Sequence, residues 1–172
     1  MHGPASALLI PVPEAAQLVS GDSVLPPHVT VLHPFVGARR IDGSLVRALE
    51  EVLREFPAFD FTLTRLDRFP GVLYAAPEPA EPFIAITEAC ARRWPEHPPY
   101  GGAFESIVPH LTIAETDVPE SETPSYAARL PVVARAREVV LLAPGRGGTW
   151  SKRAAIPLSA PDRPRDLTTR PA

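Results

Sequence analysis

At 172 residues, with 22% charged and 45% hydrophobic side chains, the chain has an ordinary globular composition, which argues against a disordered polyelectrolyte and a membrane-embedded bundle. A net charge of -3 argues against a sequence-blind electrostatic grip on long nucleic acid, double-stranded DNA included, and leaves a short or terminal nucleotide as the compatible nucleic-acid partner. Cys90, the single cysteine, has no internal disulfide partner; it reads as a core residue and fits a reducing, cytoplasmic setting.

The first strand is expected over Ser6 to Val12. This apolar run is broken by Pro11, lacks a basic leader, and falls short of the roughly 20 apolar residues a bilayer requires, so secretion and membrane insertion lose support. A turn or short helix follows from Pro13 to Val19. After a loop around Gly21 to Pro27, His28 to Val31 alternates polar and aliphatic residues, which in a strand sets His28 and Thr30 on one face and Val29 and Val31 on the other. Asp42 is a candidate N-cap for a helix from Gly43 to Phe56, whose Leu45, Leu49, Val52 and Phe56 recur at helical spacing before Pro57. Phe59 to Thr64 alternates as a strand, and Gly71 to Ala75 supplies another after Pro70.

A second half repeats this plan. A helix is expected from Pro82 to Trp94, then a long loop through His97, Tyr100 and Phe104, then a second alternation, His110, Leu111, Thr112, Ile113. Tyr126 to Leu130 reads as helical, with strands at Arg137 to Leu142 and Trp150 to Leu158 around a glycine-rich turn. The 23 prolines are scattered over junctions and form no PxxP tract, so they read as rigid turns. Residues 1–160 are expected to form a single domain and 161–172 a loose tail, with no coiled-coil pattern, so that a monomer is the starting assumption.

The chemistry rests on the doubled pattern His, any residue, Thr, aliphatic. An imidazole titrates at about 6.5, so near neutral pH one histidine can take a proton from water while a protonated partner gives one to a leaving oxygen. A threonine hydroxyl two residues along the same face can donate to a phosphate oxygen and steady the charge that develops there. Two histidines fall short of a zinc site, and neither a cysteine cluster nor an HExxH spacing completes one, so no metal and no cofactor is expected. There is no GxSxG nucleophile motif, and Cys90 sits in a helix without a local base. Each histidine alone reads equally well as a half-buried residue ending a proline-led strand, its nitrogens satisfied by the backbone.

The segments HVTV at His28 to Val31 and HLTI at His110 to Ile113 resemble the paired motifs of the two-histidine phosphoesterase superfamily, which includes bacterial 2'-5' RNA ligase-like proteins and cyclic nucleotide phosphodiesterases. The resemblance extends in element order from about Ser6 to Leu158. It implies an α+β, bilobal, pseudo-symmetric fold in which two antiparallel sheets form a central groove with helices on the outer faces. It also implies metal-free hydrolysis of a 2',3'-cyclic phosphate on a nucleotide or RNA end to a 2'-phosphate. Binding without turnover and 2'-5' RNA ligation are the alternatives, beside an interaction domain whose motifs merely finish strands. Carried over residue by residue, His28 is the general acid toward the leaving 3' oxygen, His110 the base that activates water, and Thr30 and Thr112 the phosphate holders. The chain departs from the pattern after the second motif, where a basic residue is common and Ala114 and Glu115 stand instead. That departure weakens long RNA as substrate, because Glu115 would repel a polyanion if it faced the groove, and it favours a small nucleotide, a cyclic phosphate of another metabolite, or a divergent branch of the family.

Further substrate contacts are expected from Phe35 and Tyr100, with His33 beside them, as surfaces for stacking on a base. Trp150, Lys152 and Arg153 follow the glycine-rich turn and could edge the groove, as a platform with two phosphate contacts. Ordinary packing for Phe35 and Trp150, and solvated cations for Lys152 and Arg153, are the competing readings. Arg39 and Arg40 read as an exposed turn, and Arg92 and Arg93 as dipole-complementing residues at a helix end.

Overall fold

The computed structural model describes residues 5–19, 25–103 and 105–160. His2, Phe104, part of the loop before the first motif, and the expected tail at 161–172 lie outside the described residues. In chain order the elements are β1 (Ala7–Pro11), β2 (His28–Leu32), α1 (Gly43–Leu53), β3 (Phe59–Phe69), β4 (Val72–Glu78), α2 (Glu81–Arg93), β5 (Leu111–Ala114), α3 (Thr123–Ala127), β6 (Val132–Ala136), β7 (Glu138–Pro144) and β8 (Trp150–Pro157), with single-turn 3-10 helices between some of them.

The eight strands lie in the order β6-β3-β4-β5-β2-β1-β7-β8, and every pairing is antiparallel. Strands β6-β3-β4-β5 form one half and β2-β1-β7-β8 the other. They meet between β2 and β5, where the ladder contains a single pair, Val29 with Leu111. The two expected sheets are thus two four-stranded halves of one curled α+β sheet, joined at a thin seam by the two motif strands.

One face of this sheet carries the main core. Leu8 and Ile10 of β1, Val29 and Val31 of β2, Phe61 and Leu63 of β3, Leu111 and Ile113 of β5, and Val139 and Leu141 of β7 are buried there. Helix α1 packs on β8 and on α2, and α2 packs on β2, so α2 lies behind the seam while α1 covers the β8 side of the sheet. As expected, Asp42 caps α1: its Oδ1 accepts from the N–H groups of Ser44 and Leu45 at 2.9 and 3.0 Å, satisfying two otherwise orphaned donors. The buried stripe is Leu45, Leu49 and Leu53, and the helix ends there instead of reaching Phe56. On α2 the inward residues are Phe83, Ile86 and Cys90. The Phe83 ring sits edge-on to both Phe59 and Phe61, each at 5.0 Å, an arrangement that places the positive ring edge on the negative face.

Besides the earlier end of α1, three elements differ from expectation. β3 runs on to Phe69 because it pairs with β4 along its length after a bulge near Thr64. The short helix expected at Tyr126 to Leu130 forms earlier, with Pro124 in its first turn, where a missing N–H costs nothing. Strand β6 was not anticipated. Its Val132, Ala134 and Ala136 are buried while Val133, 71% exposed, faces outward, a two-residue period on an edge strand paired only with β3. Ser159 is still tied to the body, its N–H and hydroxyl both donating to the Phe56 carbonyl.

Candidate active site

The seam sets the geometry of the motif residues. Continuing the antiparallel register by one residue each way from Val29 and Leu111 places His28 opposite Thr112 and Thr30 opposite His110. Exchanging the two motifs maps this pairing onto itself, so a local twofold axis passes through the Val29 and Leu111 pair. Cross-strand partners and residues two apart share a face, hence all four side chains emerge on the face opposite the main core, with the histidines on a diagonal whose Cβ atoms are roughly 7–8 Å apart. Burial follows this alternation: Val29, Val31, Leu111 and Ile113 are buried, while His28, Thr30, His110 and Thr112 are half-exposed. All four line one open cleft of about 840 Å³, within the size range of small-molecule sites.

Both imidazoles are held in the same way. Nδ1 of His28 lies 2.8 Å from the Pro26 carbonyl oxygen, and Nδ1 of His110 lies 2.7 Å from that of Val108. A carbonyl only accepts, so each Nδ1 carries the hydrogen, and Nε2 is the ring nitrogen left to take or give a proton. The sequence explains the repetition: Pro27 and Pro109 directly precede the histidines, fix the local backbone angle and carry no N–H of their own, and in both segments the carbonyl before the proline meets the ring. The backbone satisfaction of each histidine therefore coexists with a shared cleft and acts to orient it. Among the described residues neither Thr30 nor Thr112 has a hydrogen-bond partner for its hydroxyl within the protein.

The electrostatics are less symmetric. Burial pushes the His28 pKa below its ordinary value, the Pro26 carbonyl pushes it back up, and His110 and Glu115 act on it in opposite senses. His33, also on the cleft, is lowered by burial as well.

Around His110 stands an aromatic wall of which the sequence reading named Tyr100 but neither Phe69 nor Tyr74. Phe69 meets its ring edge-on at 5.1 Å, Tyr74 lies at 5.4 Å, and Tyr100 stacks at 6.2 Å. Tyr74 could have been found from the register, since it pairs with Thr112 and so shares the motif face. Tyr100 adopts a left-handed backbone conformation, φ 54°, which is uncommon for a residue with a side chain and is costly by about 1–3 kcal/mol. Its hydroxyl donates to the Val108 carbonyl at 3.0 Å, the same oxygen that orients His110. Burial raises the Tyr100 pKa, keeping the phenol protonated and able to donate.

Across the cleft the wall is aliphatic. Leu9, Val140 and Leu142 form a small second cluster with Leu25 and Trp150, separate from the main core. Trp150 lines the cleft, half-buried, with His33 edge-on at 6.3 Å. Lys152 pairs with Leu142 and shares its face, but on the edge strand, three strand spacings or roughly 14 Å from β2, and it is not part of the cleft lining. Arg153 is likewise exposed and outside the lining, in the bulge between the paired positions Ala154 and Lys152.

Phe35 is a correction. It is 2% exposed, edge-on to Trp94 and His97, and plays no part in the cleft. The reason is backbone: Phe35 N–H donates to the Ser6 carbonyl and Ser6 N–H to that of Val36, so the chain after β2 turns back along β1 and carries the ring into the core.

Among the described residues no three His, Cys, Asp or Glu side chains are grouped as a metal-ligand set, and no helix is long and apolar enough to cross a membrane. Arg39 and Arg40 are exposed, and Arg92 pairs with Glu88 on its own helix.

Comparison with known proteins supplies the family context for this geometry. Residues 14–148 match the model of the 2'-5' RNA ligase superfamily. A Bacillus licheniformis protein bearing the name of a phosphoesterase is 27% identical over 101 residues, a stretch covering 54% of each chain, so the match spans about half the length of that relative. Escherichia coli LigT in its apo form superposes with a TM-score of 0.63 at 14% identity, covering 92% of this chain and 99% of LigT. LigT complexed with 3'-AMP gives 0.57 at 18% identity over 90% and 98% of the two chains, and a Thermus thermophilus protein gives 0.62 at 20% over 91% and 98%.

Proposed function

Because this chain belongs to the 2'-5' RNA ligase superfamily, we propose that its cleft hydrolyses a 2',3'-cyclic phosphate to a 2'-phosphate by metal-free acid and base catalysis on the two motif histidines. The observation that carries this reading is the seam, which brings two identically tethered imidazoles and two hydroxyls without partners among the described residues to one side of a single β-pair.

In the proposed step the phosphate lies between the rings. His110 Nε2 takes a proton from water as the water oxygen bonds to phosphorus, and His28 Nε2–H gives its proton to the 3' oxygen as the phosphorus to 3' oxygen bond breaks. The product is a 3' hydroxyl and a 2'-phosphate, with one proton transferred in and one out, so the pair exchanges protonation states and resets through solvent. A burial-lowered imidazolium is a ready proton donor, and the negative charges of Glu115 and of the bound phosphodiester favour its being charged when substrate is present. Thr30 and Thr112 donate to the nonbridging oxygens, where charge develops in the transition state. The 3'-AMP complex of LigT, a nucleotide in a relative of the same fold, agrees with a nucleotide-sized ligand.

The test is turnover of nucleoside 2',3'-cyclic phosphates in EDTA by wild type, His28→Ala and His110→Ala. Each substitution is expected to lower kcat by about 10²–10⁴ with folding retained by circular dichroism. Turnover abolished by EDTA, or unchanged in both variants, would reject the proposal.

A further inference from the structure

Among the described residues the cleft lining contains no lysine or arginine, although the reading above gives it a phosphate to hold. Among the described residues its lining holds three histidines and one carboxylate, Glu115, which is exposed just past Thr112 at the exit of β5. Glu115 makes no ion pair with any described residue, and the group in the cleft whose charged form it favours is the His28 ring. Outside the described residues, 1–4, 20–24 and 104 contain no lysine or arginine in the sequence, and the arginines there are Arg163, Arg165 and Arg170 of the terminal stretch 161–172.

The nearest cations on the same sheet face are committed or remote. Arg65 pairs with Ala76 in the β3 and β4 ladder and is bound to Asp67 at 2.9 Å; Lys152 stands at the far edge on β8. The wall between β1 and Trp150 is aliphatic and aromatic. One phosphodiester charge can be met by the imidazoles and hydroxyls at the seam. A second phosphate would find no lysine or arginine in the described lining and would meet the exposed Glu115, whose repulsion at a few ångström is modest and is felt most at low ionic strength.

We propose that the cleft selects cyclic phosphodiesters whose only negative charge is the phosphodiester itself, with an uncharged remainder packed on the Leu9, Leu25 and Trp150 wall, and that Glu115 rejects ligands bearing a second phosphate. This deepens and rests on the phosphodiesterase reading above. Free cyclic mononucleotides with a 5' hydroxyl fit the requirement; 5'-phosphorylated forms and RNA ends do not.

The experiment compares kcat/KM for adenosine 2',3'-cyclic phosphate, its 5'-phosphorylated analogue and a trinucleotide ending in a 2',3'-cyclic phosphate, using wild type, Glu115→Gln and Glu115→Arg at low and high ionic strength. Wild type is expected to favour the 5'-hydroxyl substrate by about tenfold at low salt, with the preference reduced by Glu115→Gln, inverted by Glu115→Arg, and weakened by salt. Equal turnover of all three by wild type, or a preference unmoved by Glu115→Arg, overturns this selectivity while leaving the phosphodiesterase reading intact. Turnover of none of the three by folded wild type overturns both.

Discussion

Replacing Tyr100 by phenylalanine removes one hydroxyl while leaving the ring stacked on His110. The lost bond is a neutral one of 3.0 Å to the Val108 carbonyl, whose other partner is Nδ1 of His110 at 2.7 Å. Such bonds contribute about 0.5–1.5 kcal/mol net, and the partial exposure of this one puts it in the lower half of that range. If the hydroxyl fixes the carbonyl that fixes the His110 ring, and that ring is the proposed base, a loss of about 0.5–1 kcal/mol becomes a two- to fivefold fall in kcat at roughly one decade per 1.4 kcal/mol. KM should scarcely move, because no substrate contact is removed. Tyr100→Ala also removes the ring stacked at 6.2 Å and should lower kcat further, by about tenfold or more in total. Steady-state kinetics on a cyclic mononucleotide, with thermal melts to verify folding, measure both. A Tyr100→Phe variant with wild-type kcat would refute the positioning role, and an effect confined to KM would reassign Tyr100 to substrate contact.

Two other expectations concern the free protein. Burial lowers the His28 pKa from about 6.5, so as pH falls the unfolded chain takes up its proton first; the stability held above that value is lost as pH drops through the folded-state pKa. The melting temperature should therefore fall more steeply from neutral toward mildly acid pH in wild type than in His28→Gln, and parallel curves would contradict the burial argument; His33 acts with the same sign and is tested by its own variant. Cys90 is fully buried with its thiol pushed up to about 12, so a thiol reagent at mildly alkaline pH should leave it unmodified until the protein is unfolded, whereas stoichiometric labelling of the native state would show that α2 opens readily.

Much of the fold was legible because local chemistry and tertiary environment agree. The alternation at His28 to Val31 and at His110 to Ile113 marks strands whose aliphatic face is buried, and Asp42 starts α1 where its side chain can cap it. Strand β6 was hidden because Ala134 and Ala136 carry little strand preference and gain their place by pairing with β3. Phe35 was misread because alternation stops informing once the chain leaves β2, and its direction depends on hydrogen bonds to Ser6, far away in sequence. The same limit hid Phe69 and Tyr74 beside His110. Conversely, alternation does not extend to Glu115, which follows the last residue of β5, and only the path of the chain past Ala114 sets it in the cleft lining.

A phosphate titration followed through the ring-nitrogen resonances of both motif histidines asks most directly whether they serve one anion. The His28 and His110 Nε2 signals should move along a single saturation curve with one Kd, and replacing either ring should weaken the response of the other. Two unrelated curves, or movement of one ring alone, would contradict a phosphate shared across the seam.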